Sequence, residues 1–139
     1  MESKDAPLRC LIVDDSLTFR DAARRILERD GLVVVGMASA VAEGLSSART
    51  LKPDVTLVDV HLGAESGFDL AKKLREEQRA TGAIVVLISA HPERELLERQ
   101  AETSADAFVA KSALSGAAIR AVACGSAAGS PLGEKGDRR

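Results

Sequence analysis

Short β-branched runs alternate five times with longer amphipathic stretches, and this alternation constrains the fold of the chain more than any other feature. The runs are too short for stable helices and rich in valine and isoleucine, which indicates strands. The longer stretches carry apolar residues at helical spacing. Strands that alternate with helices in this way predict an α/β fold with a five-stranded parallel sheet, right-handed crossovers and helices on both faces.

The same patterns place the elements along the chain. The predicted strands cover residues 8–13, 32–38, 55–58, 83–88 and 107–110, and the later predicted helices cover 41–51, 68–79, 92–102 and 114–123. The first helix is predicted to begin near Ser16 and to stop at Gly31. Its apolar stripe includes Phe19, Ala23 and Ile26, which predicts that these side chains face the core.

Composition limits the classes of function. The 139 residues are 45% apolar and 29% charged, with a formal net charge of −2, which is typical of one compact domain. Three phenylalanines and no tryptophan or tyrosine leave almost nothing for stacking on bases, and the net charge gives no attraction for a phosphate backbone. We therefore expect no direct nucleic-acid binding by this chain.

The ends of the chain and its cysteines add further expectations. Cys10 and Cys124 lie far apart and outside zinc-ligand spacing, so we expect reduced, buried thiols. The start lacks the pattern of a signal peptide, and no run approaches the ~18 apolar residues of a membrane span. We expect a cytoplasmic protein without membrane contact, with a lead over 1–7, one domain over 8–124 and a disordered polar tail over 125–139.

Polar side chains follow four of the five predicted strands. Asp14 and Asp15 follow the first strand, Asp59 the third, Ser89 the fourth and Lys111 the fifth. In open parallel sheets the ligand site lies beyond the carboxyl ends of the strands. If the first and third strands are neighbours, the carboxylates converge, and two of them ~5 Å apart at an effective dielectric near 20 repel by about 3 kcal/mol. A cation must then compensate, or some carboxyls must be protonated.

This constellation predicts a site that receives a phosphoryl group. Oxygen ligands with room for water suit Mg²⁺, or Mn²⁺ in its place, and Lys111 adds a second positive charge. Asp59 is the natural nucleophile because carboxylates form acyl phosphates. Taken singly, the acidic pair and Ser89 could be helix caps, Lys111 a surface lysine and Phe108 a core residue. Their coincidence at one edge of the sheet favours a site.

Four motifs in register resemble the receiver domains of two-component response regulators. They are LIVDDS at residues 11–16, PDVTLVDVHLGAESG at 53–67, LISA at 87–90 and AFVAK at 107–111. The resemblance covers about residues 8–123. It implies a flavodoxin-like three-layer (βα)5 sandwich, doubly wound, with strand order 2-1-3-4-5.

The resemblance also implies a role for each site residue. Asp59 would take a phosphoryl group from a sensor histidine kinase or a phosphotransfer protein. Asp15 and Asp59 would bind Mg²⁺ directly, Asp14 would act through water, and the main-chain carbonyl of His61 would complete the shell. Lys111 would pair with Asp59 before transfer and with the phosphoryl group after it. Such a chain is not an enzyme beyond its own phosphorylation from a donor and its autodephosphorylation.

Ser89 and Phe108 would form the switch of such a domain. The hydroxyl would move to the phosphoryl group, and the aromatic ring would turn inward behind it. The face made by the fourth predicted helix, the fifth strand and the fifth helix would then change its contacts with a downstream protein. A homodimer on phosphorylation agrees with the resemblance. We expect a single-domain regulator, and a receiver fragment of a DNA-binding transcriptional regulator is the alternative.

The chain departs from the family pattern at four positions. Gly63 and Ser112 stand where proline is usual, so we expect a less constrained loop after Asp59 and a less fixed aim for Lys111. Ser104 and Ala107 stand where glycine is common, so the turn into the fifth strand is expected to be strained or rearranged. None of these departures removes a chemical group that the reaction needs.

His61 and His91 lie two residues after Asp59 and two after Ser89, and in the resembling family these positions border the phosphoryl group. We hypothesise that they tune the lifetime of the acyl phosphate by steering or excluding the attacking water, with a pH dependence in the range where imidazoles titrate. The alternative is that both are exposed loop histidines without a role.

Two other classes of function compete with a phosphorylated receiver. A pseudo-receiver would act as a protein-docking module without phosphorylation, and the intact Asp59 and acidic pair argue against it. A phosphatase of the haloacid dehalogenase type would need a second acid two residues after the nucleophile, where this chain has His61. It would also need a cap domain, which the pattern of elements lacks.

Overall fold

One parallel sheet forms the centre of the protein. The computed structural model describes residues 7–78, 81–91 and 105–124. The strands are β1 (Arg9–Val13), β2 (Val33–Ala38), β3 (Val55–Asp59), β4 (Ile84–Ser89) and β5 (Ala107–Ala110). They lie in the order β2-β1-β3-β4-β5, and every neighbouring pair is parallel. The predicted five-stranded parallel sheet and the strand order 2-1-3-4-5 are confirmed.

Helices cover both faces of this sheet. Among the described residues they are α1 (Leu17–Arg29), α2 (Val41–Leu51), α3 (Gly67–Gln78) and α4 (Gly116–Ala123). Successive strand residues point to opposite faces, so each strand supplies side chains to two separate cores. One core joins Leu11 and Leu87 of the strands to Leu70 of α3, and the other joins Ile12 to Leu27 of α1 and Ile119 of α4. This is the predicted doubly wound sandwich.

The bounds of the described helices and strands agree with the apolar patterns to within one residue, except at the start of the last helix. The predicted helix 41–51 and strand 107–110 have the observed bounds, and Gly31 ends α1 with a φ of +93°, as predicted. The last helix begins at Gly116 and not at 114, which corrects the prediction. Lys111–Ala113 form a 3-10 turn there, and the Oγ atom of Ser115 caps α4 by accepting a hydrogen bond from Ala118 N at 3.0 Å.

The segment after β3 is more ordered than the predicted loop. His61–Leu62 and Glu65–Ser66 pair as a two-stranded antiparallel hairpin, and Gly63 takes a φ of +62° in its turn. Gly67 is already the first residue of α3. The positive φ at Gly63 explains why this turn accepts glycine where proline is usual in the resembling family.

Some predictions fall outside the described residues or are wrong. The predicted helix over 92–102, Ser104, the first six residues and the tail over 125–139 lie outside the described residues. Cys10 is buried as predicted, and burial together with the charge of Asp54 raises the pKa of its thiol to about 12. Cys124 is exposed, contrary to the prediction, because it follows the last turn of α4.

Strand register brings the predicted site residues to one edge. Val13 pairs with Val58, which sets Asp14 level with Asp59 at the ends of β1 and β3. Ser89 ends β4 opposite Ala110, the residue before Lys111. The strand order reverses direction between β1 and β3, which is where open α/β sheets bind ligands.

Candidate functional site

Three carboxylates meet where β1 and β3 end. Asp14, Asp15 and Asp59 each offer an oxygen within 4.8 Å of the others. Asp14 is fully buried, Asp59 is 7% exposed and Asp15 is exposed, so the cluster opens to solvent on one side. The convergence expected from the strand ends is confirmed.

The first turn of α1 holds Asp14 in place. Its Oδ1 atom accepts a hydrogen bond from Ser16 N at 2.7 Å, and Arg20 donates to its main-chain oxygen at 2.6 Å. Ser16 is the N-cap of α1 and accepts a hydrogen bond from Phe19 N at its Oγ atom, at 3.2 Å. The acidic pair and the start of the helix therefore form one hydrogen-bonded unit.

Lys111 reaches the same pocket from the end of β5. Its Nζ atom lies 2.9 Å from Asp14 Oδ2 and 3.3 Å from Asp59 Oδ2. The contact with Asp14 was not anticipated from the sequence. Burial acts to lower the pKa of Lys111, but hydrogen bonds and the charges of Asp14 and Asp59 raise it overall. Lys111 is therefore an ammonium group in the pocket.

The fold destabilises the ionised form of the Asp59 carboxyl group. Burial and the negative charge of Asp14 raise its pKa from 3.8 to about 6. The charge of Lys111 and a hydrogen bond from His61 N, at 3.4 Å from Asp59 Oδ1, act in the opposite direction without offsetting the rise. The pocket therefore favours a cation beside Asp59 or a change that removes its negative charge.

The chemistry of the pocket fits a divalent metal ion. Asp14 Oδ2 is buried, and Lys111 Nζ pairs with it at 2.9 Å. Three ionised carboxylates facing one ammonium leave an excess of negative charge. Hard oxygen ligands with one side open to water are the ligands that Mg²⁺ and Mn²⁺ accept. Asp14, Asp15 and Asp59 are the side chains that could hold such an ion.

Gly67 fixes the main chain beneath Asp59, a role that the sequence analysis missed. A Cβ atom at Gly67 would lie 1.9 Å from the main-chain oxygen of Asp59. Gly67 N also donates to Val60 O at 2.8 Å, and Val60 N donates to Ile88 O at 3.1 Å. Only glycine permits this approach, so the start of α3 packs directly against Asp59.

Ser89 and Phe108 lie on neighbouring strands at or near the same edge. Ser89 is 2% exposed, and its Oγ atom accepts a hydrogen bond from His91 N at 2.9 Å. The ring of Phe108 is buried, and its centroid lies 6.3 Å from that of Phe68 on α3. Phe108 is thus turned inward in this structure.

The two histidines lie in the loops that border the pocket, where the family resemblance places them. His61 is in the hairpin after β3, and His91 follows β4 by two residues. Both are exposed, and the main-chain N–H groups of both bind site residues, Asp59 and Ser89 respectively. Their positions agree with the hypothesis that they act at the pocket, and their effect on lifetime stays a prediction.

The fold and the pocket together define a class: doubly wound α/β proteins with an acidic pocket at the switch point of the sheet. The profile of the response regulator receiver domain matches residues 10–123. The chain therefore belongs to the response regulator receiver domain family of two-component systems. Membership of this family sets aside the phosphatase of the haloacid dehalogenase type.

Individual relatives agree with this assignment. The chain is 35% identical over 111 residues to protein-glutamate methylesterase/protein-glutamine glutaminase 6 of Anaeromyxobacter dehalogenans, covering 79% of this chain and 31% of that protein. The signal receiver domain of NarL from Mycobacterium tuberculosis superposes with a TM-score of 0.74 at 29% identity, covering 86% of this chain and 98% of that one.

A second similar structure carries a modified aspartate. It is a response regulator protein from Burkholderia pseudomallei with a phosphorylated aspartic acid, a calcium ion and citrate. Its TM-score is 0.68 at 28% identity, covering 83% of this chain and 65% of that one. The chain spans half or less of the length of the curated relatives it matches. Among the described residues, no helix combines the length and the apolar character needed to cross a membrane.

Proposed function

We propose that this receiver domain, over residues 8–124, accepts a phosphoryl group on Asp59 from the phosphohistidine of a sensor histidine kinase or a phosphotransfer protein. The observation that carries the proposal is the position of Lys111, whose Nζ atom contacts Asp14 and Asp59 across one pocket. A buried carboxylate with a raised pKa, an acidic pair and a fixed ammonium are the groups that phosphoryl transfer to a carboxylate requires. A phosphorylated aspartic acid is present in the similar regulator of Burkholderia pseudomallei.

The reaction uses a carboxylate oxygen of Asp59 as the nucleophile. This oxygen forms a bond to phosphorus while the bond between phosphorus and the donor breaks, and the donor histidine leaves with the electron pair. Lys111 stands beside the oxygen that reacts and shifts its pairing from the carboxylate to the phosphoryl oxygens. The products are an acyl phosphate on Asp59 and a free histidine on the donor.

The metal assigned to this pocket is Mg²⁺ or Mn²⁺. Asp15 and Asp59 would hold it directly, Asp14 through water, and the main-chain carbonyl of His61 would complete the set. When bound, the ion neutralises charge on the transferring phosphoryl group. The clustering of the three carboxylates supports this assignment, because each of them offers an oxygen within 4.8 Å of the others.

We assign the switch to Ser89 and Phe108. The Ser89 hydroxyl now accepts from His91 N, and we propose that it turns to the phosphoryl group once Asp59 is modified. Phe108 is already turned inward against Phe68, so any movement of its ring on phosphorylation would start from this buried position. The face that includes β5 and α4 would then change its contacts with a downstream protein in the cytoplasm or with a second copy of the chain. Catalysis stays limited to self-phosphorylation from a donor and autodephosphorylation.

The proposal is tested by intact mass after incubation with Mg²⁺ and acetyl phosphate. We expect the wild type to gain the mass of one phosphoryl group and the Asp59→Asn variant to gain none. Glu76→Gln removes an exposed carboxylate on α3 and is the matched control, which should react like the wild type. Equal incorporation by Asp59→Asn would show that the acceptor is assigned wrongly. If the wild type fails to react with every donor tested, the result would favour the pseudo-receiver that acts by docking alone.

A further inference from the structure

We propose that Phe19 is a positioning residue for Lys111 and speeds phosphoryl transfer by holding its ammonium group over the acceptor pocket. The inference rests on the proposed function of Asp59. Lys111 Nζ lies 4.3 Å from the centroid of the Phe19 ring, within the ~6 Å range in which an aromatic face attracts a cation. The helical spacing of α1 predicts Phe19 in the apolar stripe that faces the core. The structure also places its ring beside the one lysine that reaches the pocket among the described residues.

The first turn of α1, which carries the Phe19 ring, is hydrogen-bonded to Asp14. Asp14 Oδ1 accepts a hydrogen bond from Ser16 N, and Ser16 Oγ accepts one from the main chain of Phe19. The ring contacts Lys111, and Lys111 Nζ returns to Asp14 Oδ2 at 2.9 Å. These four residues form a closed circuit of contacts that joins the ends of β1 and β5. Displacing the ring would therefore change where the ammonium lies relative to Asp14.

The ring of Phe19 adds to the two carboxylates, Asp14 and Asp59, that hold the ammonium of Lys111. A lysine side chain has four flexible methylene groups and loses considerable rotamer freedom when its ammonium is held in one place. Ser112 follows Lys111, and the described residues contain no cis peptide bond, so the main chain enters a 3-10 turn directly. The Lys111 side chain is 22% exposed, which leaves part of it in contact with water.

The ring differs from the other partners of Lys111 because phosphoryl transfer does not change it. Asp59 loses its own negative charge when it becomes an acyl phosphate, and the proposed metal competes for the oxygens of Asp14 and Asp59. The aromatic face of Phe19 keeps its attraction throughout, since it carries no charge and binds no metal. It therefore holds the ammonium near the pocket while Lys111 moves from the carboxylate to the phosphoryl oxygens.

The first test changes the electrostatics of the ring at nearly constant size. Stepwise fluorination of the Phe19 ring weakens its attraction for a cation and leaves its packing almost unchanged. We expect the rate of phosphoryl incorporation from acetyl phosphate with Mg²⁺ to fall stepwise along the series, by roughly three- to tenfold in all. Phe19→Leu should be as slow as the most fluorinated ring, and Phe19→Tyr should stay close to the wild type.

A double-mutant cycle separates positioning from packing. In a Lys111→Ala background, Phe19→Leu should cause no further loss of rate, because the residue through which it acts is gone. The role of Phe19 is overturned if the wild type reacts but fluorination does not change its rate. It is also overturned if Phe19→Leu lowers the rate equally in the wild-type and Lys111→Ala backgrounds. Either result leaves the proposed function intact. A wild type that does not react at all overturns both.

A second readout is independent of phosphorylation. In metal-free protein, the NMR signals of the Lys111 protons next to the ammonium should show a ring-current shift from Phe19. Phe19→Leu should move these signals towards the values of an exposed lysine, while Phe19→Tyr preserves the shift. Signals that are the same in wild type and Phe19→Leu would show that the ring does not hold Lys111 in solution, and the inference would fail.

Discussion

At the scale of the residue, the ionised form of Asp59 has opposite effects on folding and on the proposed function. Burial and the charge of Asp14 raise its pKa to about 6, so an ionised Asp59 destabilises the metal-free fold at neutral pH. The same ionised oxygen is the nucleophile of the proposed reaction. A residue placed for structure alone would be expected to have a neutral or fully paired side chain at this depth. The acidic pocket therefore favours chemistry over stability.

The first prediction concerns the stability of the metal-free protein. Because the pKa of Asp59 is raised on folding, its contribution to the free energy of unfolding is complete below 3.8 and is lost as pH rises through about 6. The loss is on the order of 2–3 kcal/mol over this window. Asp59→Asn should remove this pH dependence and raise the stability at pH 7, as measured by urea unfolding in EDTA.

The control for this prediction is again Glu76→Gln, whose carboxylate is exposed on α3 and should leave the wild-type pH profile in place. Mg²⁺ should stabilise the wild type at pH 7 and stabilise Asp59→Asn less. If Asp59→Asn and the wild type lose stability equally between pH 4 and pH 6, then Asp59 is not the carboxyl group whose pKa is raised on folding.

A second prediction at this scale concerns His61 and His91, which border the pocket. We expect His61→Ala or His91→Ala to change the lifetime of the acyl phosphate several-fold, because each alters the access of water to the phosphorus atom. The lifetime is measured by loss of the phosphoryl mass after the donor is removed, between pH 6 and pH 8. Unchanged lifetimes in both variants would identify them as exposed loop residues without a role.

At the scale of the element, the short segment between β3 and α3 determines where Asp59 lies. The hairpin over residues 61–66 returns the chain so that Gly67 packs on the main-chain oxygen of Asp59. Glu65 accepts a hydrogen bond from Val41 N at 3.0 Å and so caps α2, whose own N-cap Ala40 provides no side-chain cap. The acceptor loop is thus held by both neighbouring helices.

We predict that Gly67→Ala is strongly disruptive. The added Cβ would meet the Asp59 oxygen at 1.9 Å, so the start of α3 must move, at a cost of about 3 kcal/mol or more. The free energy of unfolding and the rate of phosphoryl incorporation should both fall. Gly82→Ala is the matched control, because the Cβ that alanine would add there has no atom within 4 Å.

Gly82→Ala should cost about 1 kcal/mol through its positive φ alone, without slowing phosphorylation. If Gly67→Ala were no more costly than Gly82→Ala, the close packing on Asp59 would not hold in solution.

Most elements could be predicted from the sequence because their apolar period is long enough to detect. The helix over 41–51 and the strand over 107–110 have the predicted bounds. The hairpin could not be predicted, since two strands of two residues each are too short to show alternation. The start of α4 was placed too early because Leu114 continues the apolar pattern, while the cap at Ser115 sets the true beginning.

At the scale of the whole molecule, topology assembles the pocket from residues that are far apart in the chain. Lys111 lies 52 positions from Asp59, and the two meet because β1, β3, β4 and β5 are parallel and end at one edge. Charged residues at strand ends could therefore be predicted as one site. The contacts of Phe19 and Gly67 could not, because an apolar stripe residue and a loop glycine carry no sequence signal of a polar neighbour.

The most direct measurement of the central claim is the position of the phosphoryl group. After incubation with acetyl phosphate, borohydride reduction converts an aspartyl phosphate to homoserine, which peptide mass spectrometry then locates. We predict homoserine at residue 59 when Mg²⁺ is present and none when EDTA replaces it, because the crowded carboxylates need a cation before the donor can approach. Modification at another residue, or equal modification of Asp59 in EDTA, would contradict this account.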